Sequence, residues 1–166
     1  MTPAATLCNV AAFQLGWLTC VLGGSLAGAA VTAAVLAGHL RWLARPGEWR
    51  LLAGFALVGL VVDGGLTLAG GFVFAGPAWP IPLWLWLLWP LFATLVNHSL
   101  AWLWRHPWLA TACGASGGAL SYWGGARLAG VELAPWLLPA EAIVWGLICR
   151  GCAGKRGGQT VCEALR

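Results

Sequence analysis

The sequence predicts an all-α protein: a polytopic transmembrane helical bundle of about six spans, with both termini in the cytoplasm. Three observations lead to this prediction. Of the 166 residues, 60% are hydrophobic and only 8% are charged, whereas soluble domains have about 25% charged residues. The apolar residues form long runs that are separated by short breaks rich in glycine and proline. The basic residues fall almost entirely on alternate breaks, which is the charge bias of a multi-pass membrane protein.

The apolar runs are the candidate spans, because a helix needs about 20 apolar residues to cross a membrane. Six runs are predicted to cross once each: 5–22, 26–43, 50–75, 81–104, 107–128 and 134–150. The first two are short and are separated only by Gly23-Gly24-Ser25. A five-span alternative therefore treats 5–43 as one long span with a re-entrant piece. In either case residues 1–150 form a single transmembrane domain, and residues 151–166 form a short basic cytoplasmic tail.

Positive charge sets the predicted orientation. If every run crosses once, Arg127 is the only one of the nine basic residues that lies on the outer side. The positive-inside rule then predicts cytoplasmic termini and a multi-pass protein of a bacterial inner membrane. Tryptophans gather near both predicted boundaries, as anchoring residues do: Trp42, Trp49, Trp102, Trp104 and Trp108 inside, and Trp79, Trp84, Trp123 and Trp136 outside. Because the basic charge marks topology, nucleic acid is not an expected partner.

Two polar residues within the runs are the candidate catalytic pair. Asp63 lies in the middle of the third run, where a carboxylate costs at least about 2.5–3.5 kcal/mol. It should therefore face the bundle interior, either as a structural partner or as a proton or substrate site. His98 shares a predicted helix face with Thr94 and Trp102, and a carboxylate beside an imidazole is the minimum pair for proton transfer. Asp63 and His98 are predicted to approach if their spans are adjacent; otherwise His98 is a buried hydrogen-bond donor.

Other polar residues are candidates for substrate binding. These are Asn97, Tyr122, Arg127, Gln14 and His39. Arg127 is expected either to contact a lipid headgroup or to pair with Glu132 or Glu141 and so lock two helices together.

No metal site is predicted, and the cofactor is unknown. Cys149 and Cys152 have the spacing of a redox or zinc motif, but only Cys162 lies near them. A structural metal site needs about four ligands. The two residues are therefore expected to be reduced thiols.

Polar motifs in the apolar background resemble a known family. They are Phe13-Gln14-Leu15-Gly16-Trp17, the mid-span Asp63, Asn97-His98-Ser99-Leu100 and Tyr122-Trp123-Gly124-Gly125-Ala126-Arg127-Leu128. Together they resemble the bacterial membrane proteins grouped as domain of unknown function 2878, over about residues 8–150. The resemblance supplies no catalytic residue, substrate or cofactor. Members resemble small inner-membrane proteins often encoded near lipid-modifying genes, which points to envelope lipid metabolism.

The leading functional hypothesis is an enzyme or accessory subunit of membrane-lipid modification with an intramembrane Asp63/His98 pocket. In the enzyme, His98 would be the acid or base, Asp63 would orient it, and Arg127 would contact a headgroup. The expected partners are the lipid bilayer, a lipid substrate and other membrane proteins. The alternatives are a small proton-coupled transporter and a non-catalytic membrane scaffold. The sequence has no phosphate-binding Gly-Lys-Ser/Thr loop, no His-Glu-x-x-His and no Gly-x-Ser-x-Gly, so it gives no support to soluble chemistries built on those motifs.

Overall fold

The computed structural model describes residues 2–76 and 80–154. Within them the chain is predominantly helical, as predicted, with short turns and one short pair of strands. The helices are α1 (Pro3–Gly38), α2 (Trp49–Leu68), α3 (Leu83–Val96), α4 (Pro107–Ala129) and α5 (Leu137–Gly154). A π-helical turn, His39–Leu43, follows α1, and a 3-10 turn, Leu103–Arg105, precedes α4. Strands β1 (Phe72–Val73) and β2 (Glu132–Leu133) pair antiparallel and join the loop after α2 to the loop after α4.

Three helical stretches are long and apolar enough to cross a membrane. They are Pro3–Leu43, Trp49–Leu68 and Leu137–Gly154; α3 is also apolar but shorter. The surface of the bundle is apolar as well, since Leu26 is 88% exposed and Val61 is 74% exposed. Large apolar patches of this kind mark surfaces that are covered by lipid or by another protein. These features support the prediction of a membrane protein.

The first helix reverses its direction at Gly24. This residue has φ 69° and ψ −162°, a backbone conformation that is essentially restricted to glycine. Cys20 Sγ and Thr32 Oγ1 lie 3.7 Å apart, whereas twelve residues of straight helix would separate them by about 18 Å. The break predicted at Gly23-Gly24-Ser25 is therefore present. It divides α1 into two antiparallel arms, residues 3–23 and 25–38.

The fourth predicted run does not form a helix over its whole length. The sequence predicts a span over 81–104, but α3 ends at Val96 and is followed by turns. Side chains from other parts of the chain hydrogen-bond the backbone carbonyls that the missing helical turns would have paired. Asn9 Nδ2 donates to Thr94 O at 3.1 Å, and Trp104 Nε1 donates to Val96 O at 2.7 Å. Non-helical backbone is tolerated at membrane depth where protein surrounds it. Thr94, His98 and Trp102 therefore do not lie on one face of a helix, and that prediction is wrong.

The arginines gather at one end of the bundle, here called the basic end: Arg41, Arg45, Arg50, Arg105 and Arg150. The carboxylate of Glu48, between two of them, contacts His98, and Leu103 packs with Cys149 from the last helix. Arg127 lies at the opposite end, beyond the mid-helix Tyr122. Arg127 is thus separated from these five arginines along the bundle.

Candidate functional site

Asp63 is enclosed by three helices and hydrogen-bonded to two of them. Its exposed fraction is 0%. Trp89 of α3 donates its indole N–H to Oδ2 at 2.8 Å. Tyr122 of α4 donates its hydroxyl to Oδ1 at 2.8 Å and lies 3.0 Å from Oδ2. The prediction that Asp63 faces the protein interior is confirmed.

Glycine on α2 makes room for the indole that binds Asp63. A Cβ atom added to Gly59 would overlap the ring of Trp89, so only glycine lets that ring lie flat against the helix. The ring also stacks on Trp145, with centroids 4.9 Å apart and an interplanar angle of 24°. Gly59 and Trp145 thus both restrict the position of the ring, whose N–H donates to the carboxyl group.

Glu141 is a second buried carboxyl group beside this cluster. Its exposed fraction is 0%, and the indole of Trp145 approaches it as a hydrogen-bond donor. It lies close enough to Asp63 and Tyr122 to interact with them electrostatically. Two carboxyl groups therefore share one enclosed region.

A cavity of about 530 Å³ reaches this cluster. Trp89, Tyr122 and Trp145 form part of its wall, and most of the remaining wall is apolar: Phe13, Trp17, Val21, Phe72, Trp84, Leu85, Leu88, Phe92, Leu95, Leu100, Leu103, Trp104, Leu120 and Val131. Along α4 it extends from Cys113 to Ala126, a length of about 20 Å at 1.5 Å per residue. One of its lining residues, Leu120, is 64% exposed, so the cavity wall reaches the apolar surface of the bundle there.

A second polar cluster lies at the basic end and joins three separate segments. The exposed fraction of Glu48 is 1%. His98 Nε2 lies 3.0 Å from Glu48 Oε1 and 3.1 Å from Oε2. His39 Nε2 lies 3.6 Å from Oε1, which is longer than a hydrogen bond. The two imidazole rings meet edge to face, with centroids 4.9 Å apart.

Local structure holds each member of this second cluster. His39 opens the π-helical turn, a feature that often occurs at functional sites. Glu48 is the residue before α2, and its Oε2 accepts the backbone N–H of Arg45 at 2.7 Å. Asn97 Nδ2 donates to Oε1 at 3.3 Å. Burial raises the pKa of Glu48, but the two imidazoles and the Arg45 amide outweigh burial and hold that pKa below its usual range.

Comparison with known proteins identifies a family. The family described as "Protein of unknown function (DUF2878)" matches residues 6–150. The chain belongs to this family. Comparisons with curated proteins and with solved structures find no match. The DUF2878 region contains Asp63, Glu48 and all the other members of both clusters.

In this DUF2878 protein the predicted catalytic pair is divided between the two clusters. Asp63 binds Trp89 and Tyr122, whereas His98 binds Glu48. Fifteen residues along α2 separate Glu48 from Asp63, a distance of about 22 Å. A direct contact between Asp63 and His98 is therefore not formed.

The predicted substrate-binding residues are also divided. Tyr122 joins Asp63, while Asn97 and His39 join His98; Gln14 lines the cavity. Arg127 is exposed, with its guanidinium 6.0 Å from the Trp123 ring centroid.

The predicted ion pair of Arg127 is wrong. Within the described residues Arg127 forms no salt bridge. Glu132 is exposed on β2, and Glu141 is enclosed between helices. The guanidinium therefore meets an aromatic ring and the bundle surface instead of a carboxylate.

Sequence reasoning missed Glu48 and Trp89. A single glutamate between Arg45 and Arg50 looks like an ordinary surface residue at a membrane boundary. Trp89, in a run rich in tryptophan, looks like an anchor. The only sequence signal for Trp89 was a polar N–H placed deep within an apolar run, where it needs an acceptor.

The structure also describes Cys149 and Cys152 of the predicted thiol pair. Neither Cys149 nor Cys152 forms a disulfide with a described residue, and Cys149 is buried. Cys162 and residues 155–166 of the predicted tail lie outside the described residues.

Proposed function

We propose that this DUF2878 protein binds a membrane lipid in the apolar cavity and serves membrane-lipid modification as an enzyme or an accessory subunit. The observation that carries the proposal is the cavity itself. It is long, apolar and open at the side of the bundle, and its wall includes the two side chains that bind Asp63. Ligand sites combine an apolar wall with a few polar groups in this way.

The dimensions of the cavity suit an acyl chain. Its length of about 20 Å along α4 exceeds the roughly 15 Å that one leaflet of a 30 Å hydrocarbon core occupies. An entrance beside Leu120 would face lipid, because the neighbouring helix surfaces are apolar. A lipid tail could then enter sideways without crossing water.

Tyr122 is the contact between such a lipid and the buried carboxyl group. Its hydroxyl donates to Asp63 and keeps a lone pair with which to accept a hydrogen bond. In an enzyme, this hydroxyl would hold a polar group or an unsaturated bond of the lipid, and Asp63 would take or give a proton through it. In an accessory subunit, the same pair would fix the position of the bound chain.

The orientation proposed for this function is a bacterial inner membrane crossed six times. The two arms of α1 count as two crossings, and α3 with its following turns counts as one. The basic end then faces the cytoplasm together with both termini, in accordance with the positive-inside rule.

Filling the cavity should abolish lipid binding. Gly117 lines the cavity, and a Cβ added there meets no atom within 4 Å, so Gly117→Leu projects into open space. We expect the variant purified in lipid nanodiscs and released for native mass spectrometry to retain at least about tenfold less bound phospholipid, because four added carbons displace the chain. The measurement is the ratio of lipid-bound to lipid-free protein.

Gly124→Leu is the matched control. Gly124 lies on the same helix, also has open space at its Cβ, and does not line the cavity. It should keep the lipid occupancy of the unmodified chain. Equal occupancy in both variants would contradict the proposal.

A proton-coupled transporter is the second candidate, and Glu141 is the observation that favours it. A fully buried carboxyl group that forms no salt bridge within the described residues is costly inside a membrane and often marks a proton pathway. Asp63 and Glu141 would then be successive proton sites. This candidate requires net movement of protons across the bilayer, which lipid binding does not.

A further inference from the structure

We propose that His39, Glu48 and His98 form a binding site for a divalent first-row transition metal ion, with zinc as the first ion to test. Each residue offers one ligand atom, and the three atoms all lie within 4.8 Å of one another. Imidazole nitrogen and carboxylate oxygen are the donors that zinc and ferrous iron share in proteins. The site is separate from the cavity and from Asp63.

The distances suit a small ion. Zinc bonds of about 2.0–2.1 Å in a tetrahedral arrangement place neighbouring ligand atoms about 3.4 Å apart. Here His98 Nε2 lies 3.0 Å from Glu48 Oε1, and His39 Nε2 lies 3.6 Å from the same oxygen. The third separation, between the two histidine nitrogens, is at most 4.8 Å, and we infer that the rings turn towards each other when the ion binds.

The state of His39 is an independent indication of a ligand. The residue is 3% exposed, yet its Nδ1 has no hydrogen-bond partner among the described residues, and its Nε2 approaches the Glu48 carboxylate only to 3.6 Å. Leaving a buried polar group without a partner costs free energy. A metal bound to Nε2 would give that nitrogen a full bond in place of the long contact, and the carboxylate of Glu48 would neutralise part of the ion's charge.

Hydrogen bonds from residues that are not proposed ligands hold the Glu48 carboxylate in place. Glu48 Oε2 accepts the Arg45 amide at 2.7 Å, and Asn97 approaches Oε1 at 3.3 Å. Metal sites commonly fix their ligands through a second layer of hydrogen bonds of this kind. Three protein ligands leave a fourth position for water or a substrate, as in catalytic zinc sites.

Sequence spacing gives no sign of this site. The ligands come from the turn after α1, the start of α2 and the turn after α3, so no short motif contains them. For that reason no metal is predicted from the sequence, and the Cys149–Cys152 pair looks like the better candidate there. In the folded chain the candidate ligands are the nitrogens of His39 and His98 and an oxygen of Glu48, not the sulfurs of the cysteine pair.

The test measures zinc bound to the full chain in nanodiscs, after removal of metal by a chelator and titration against a competing chromophoric chelator. We expect one zinc ion per chain. X-ray absorption should show nitrogen and oxygen ligands at about 2.0 Å and no sulfur at about 2.3 Å. These two results on the unmodified chain do not depend on the folding of any variant.

Substitutions then locate the ion. His39→Ala and Glu48→Gln should each weaken zinc binding by at least about 100-fold, because each removes a ligand. His106→Ala is the matched control, since His106 is the remaining histidine and is exposed. It should leave binding unchanged, as should the double variant Cys149→Ser/Cys152→Ser. Less than about 0.2 zinc per chain, sulfur ligands, or binding unaffected by His39→Ala in a variant that still folds would each overturn the proposal.

Discussion

Replacing both Trp89 and Tyr122 with phenylalanine should lower the free energy of unfolding by about 3–5 kcal/mol, because it leaves a buried carboxyl group without its two donors. Both donors lie 2.8 Å from Asp63 oxygens, and Asp63 itself is 0% exposed. The measurement is reversible unfolding in mixed micelles of increasing denaturing detergent.

Two further variants distinguish the stability lost with the hydrogen bonds from the stability lost with ring volume. Adding Asp63→Leu to the double variant should restore most of the lost stability, since removing both partners of a buried hydrogen bond can be nearly neutral. Trp86→Phe removes an indole that donates to the backbone of Ala56 at 2.7 Å, so it should cost only about 1 kcal/mol. A double variant no less stable than Trp86→Phe would show that Asp63 does not depend on these donors.

Gly59→Val should prevent stable folding, or lower the free energy of unfolding by about 3 kcal/mol or more, because the added atoms overlap the Trp89 ring. Overpacking of a filled core commonly costs about 1–3 kcal/mol, and more where the neighbour cannot move. Trp89 is 1% exposed and is stacked on Trp145, so moving away from α2 would break this stacking and the hydrogen bond to Asp63. The yield of folded protein and its detergent midpoint are the measurements.

Gly54→Val is the matched control on the same helix. A Cβ at Gly54 meets no atom within 4 Å, so this variant should fold normally. If both variants were equally stable, the close contact between α2 and the Trp89 ring would be refuted.

Composition and the pattern of apolar runs were sufficient to predict the helical class and most helix positions. Pro107–Ala129 lies almost exactly where the run 107–128 predicts it. The reversal at Gly24 was also predictable, because paired glycines interrupt an apolar run there. The helix positions and the reversal could be predicted because both depend on residues that are close together in the sequence.

The end of α3 could not be predicted, because the groups that end it are distant in sequence. Asn9 donates to the Thr94 carbonyl and also accepts the Ser99 hydroxyl at 2.8 Å. Both contacts depend on how the first arm of α1 packs against α3. An apolar run alone gives no information about such a partner.

The candidate site was predicted only in part, again because some of its contacts join residues that are distant in sequence. Burial of Asp63 follows from the cost of a carboxyl group in lipid, and Tyr122 was already a candidate. To predict that His98 pairs with Glu48, one must know the position of each residue along the bundle axis. The shortened α3 changes that depth, so the sequence joined Asp63 to the wrong partner.

Photocrosslinking with a phospholipid that carries a diazirine on its acyl chain tests the lipid-binding account most directly. In nanodiscs, lipid around the bundle should label exposed outer residues such as Val61 and Leu147. The account predicts additional adducts inside the cavity, on Phe92 and Trp145, which excess unlabelled phospholipid reduces in competition. Adducts confined to the outer residues would contradict it.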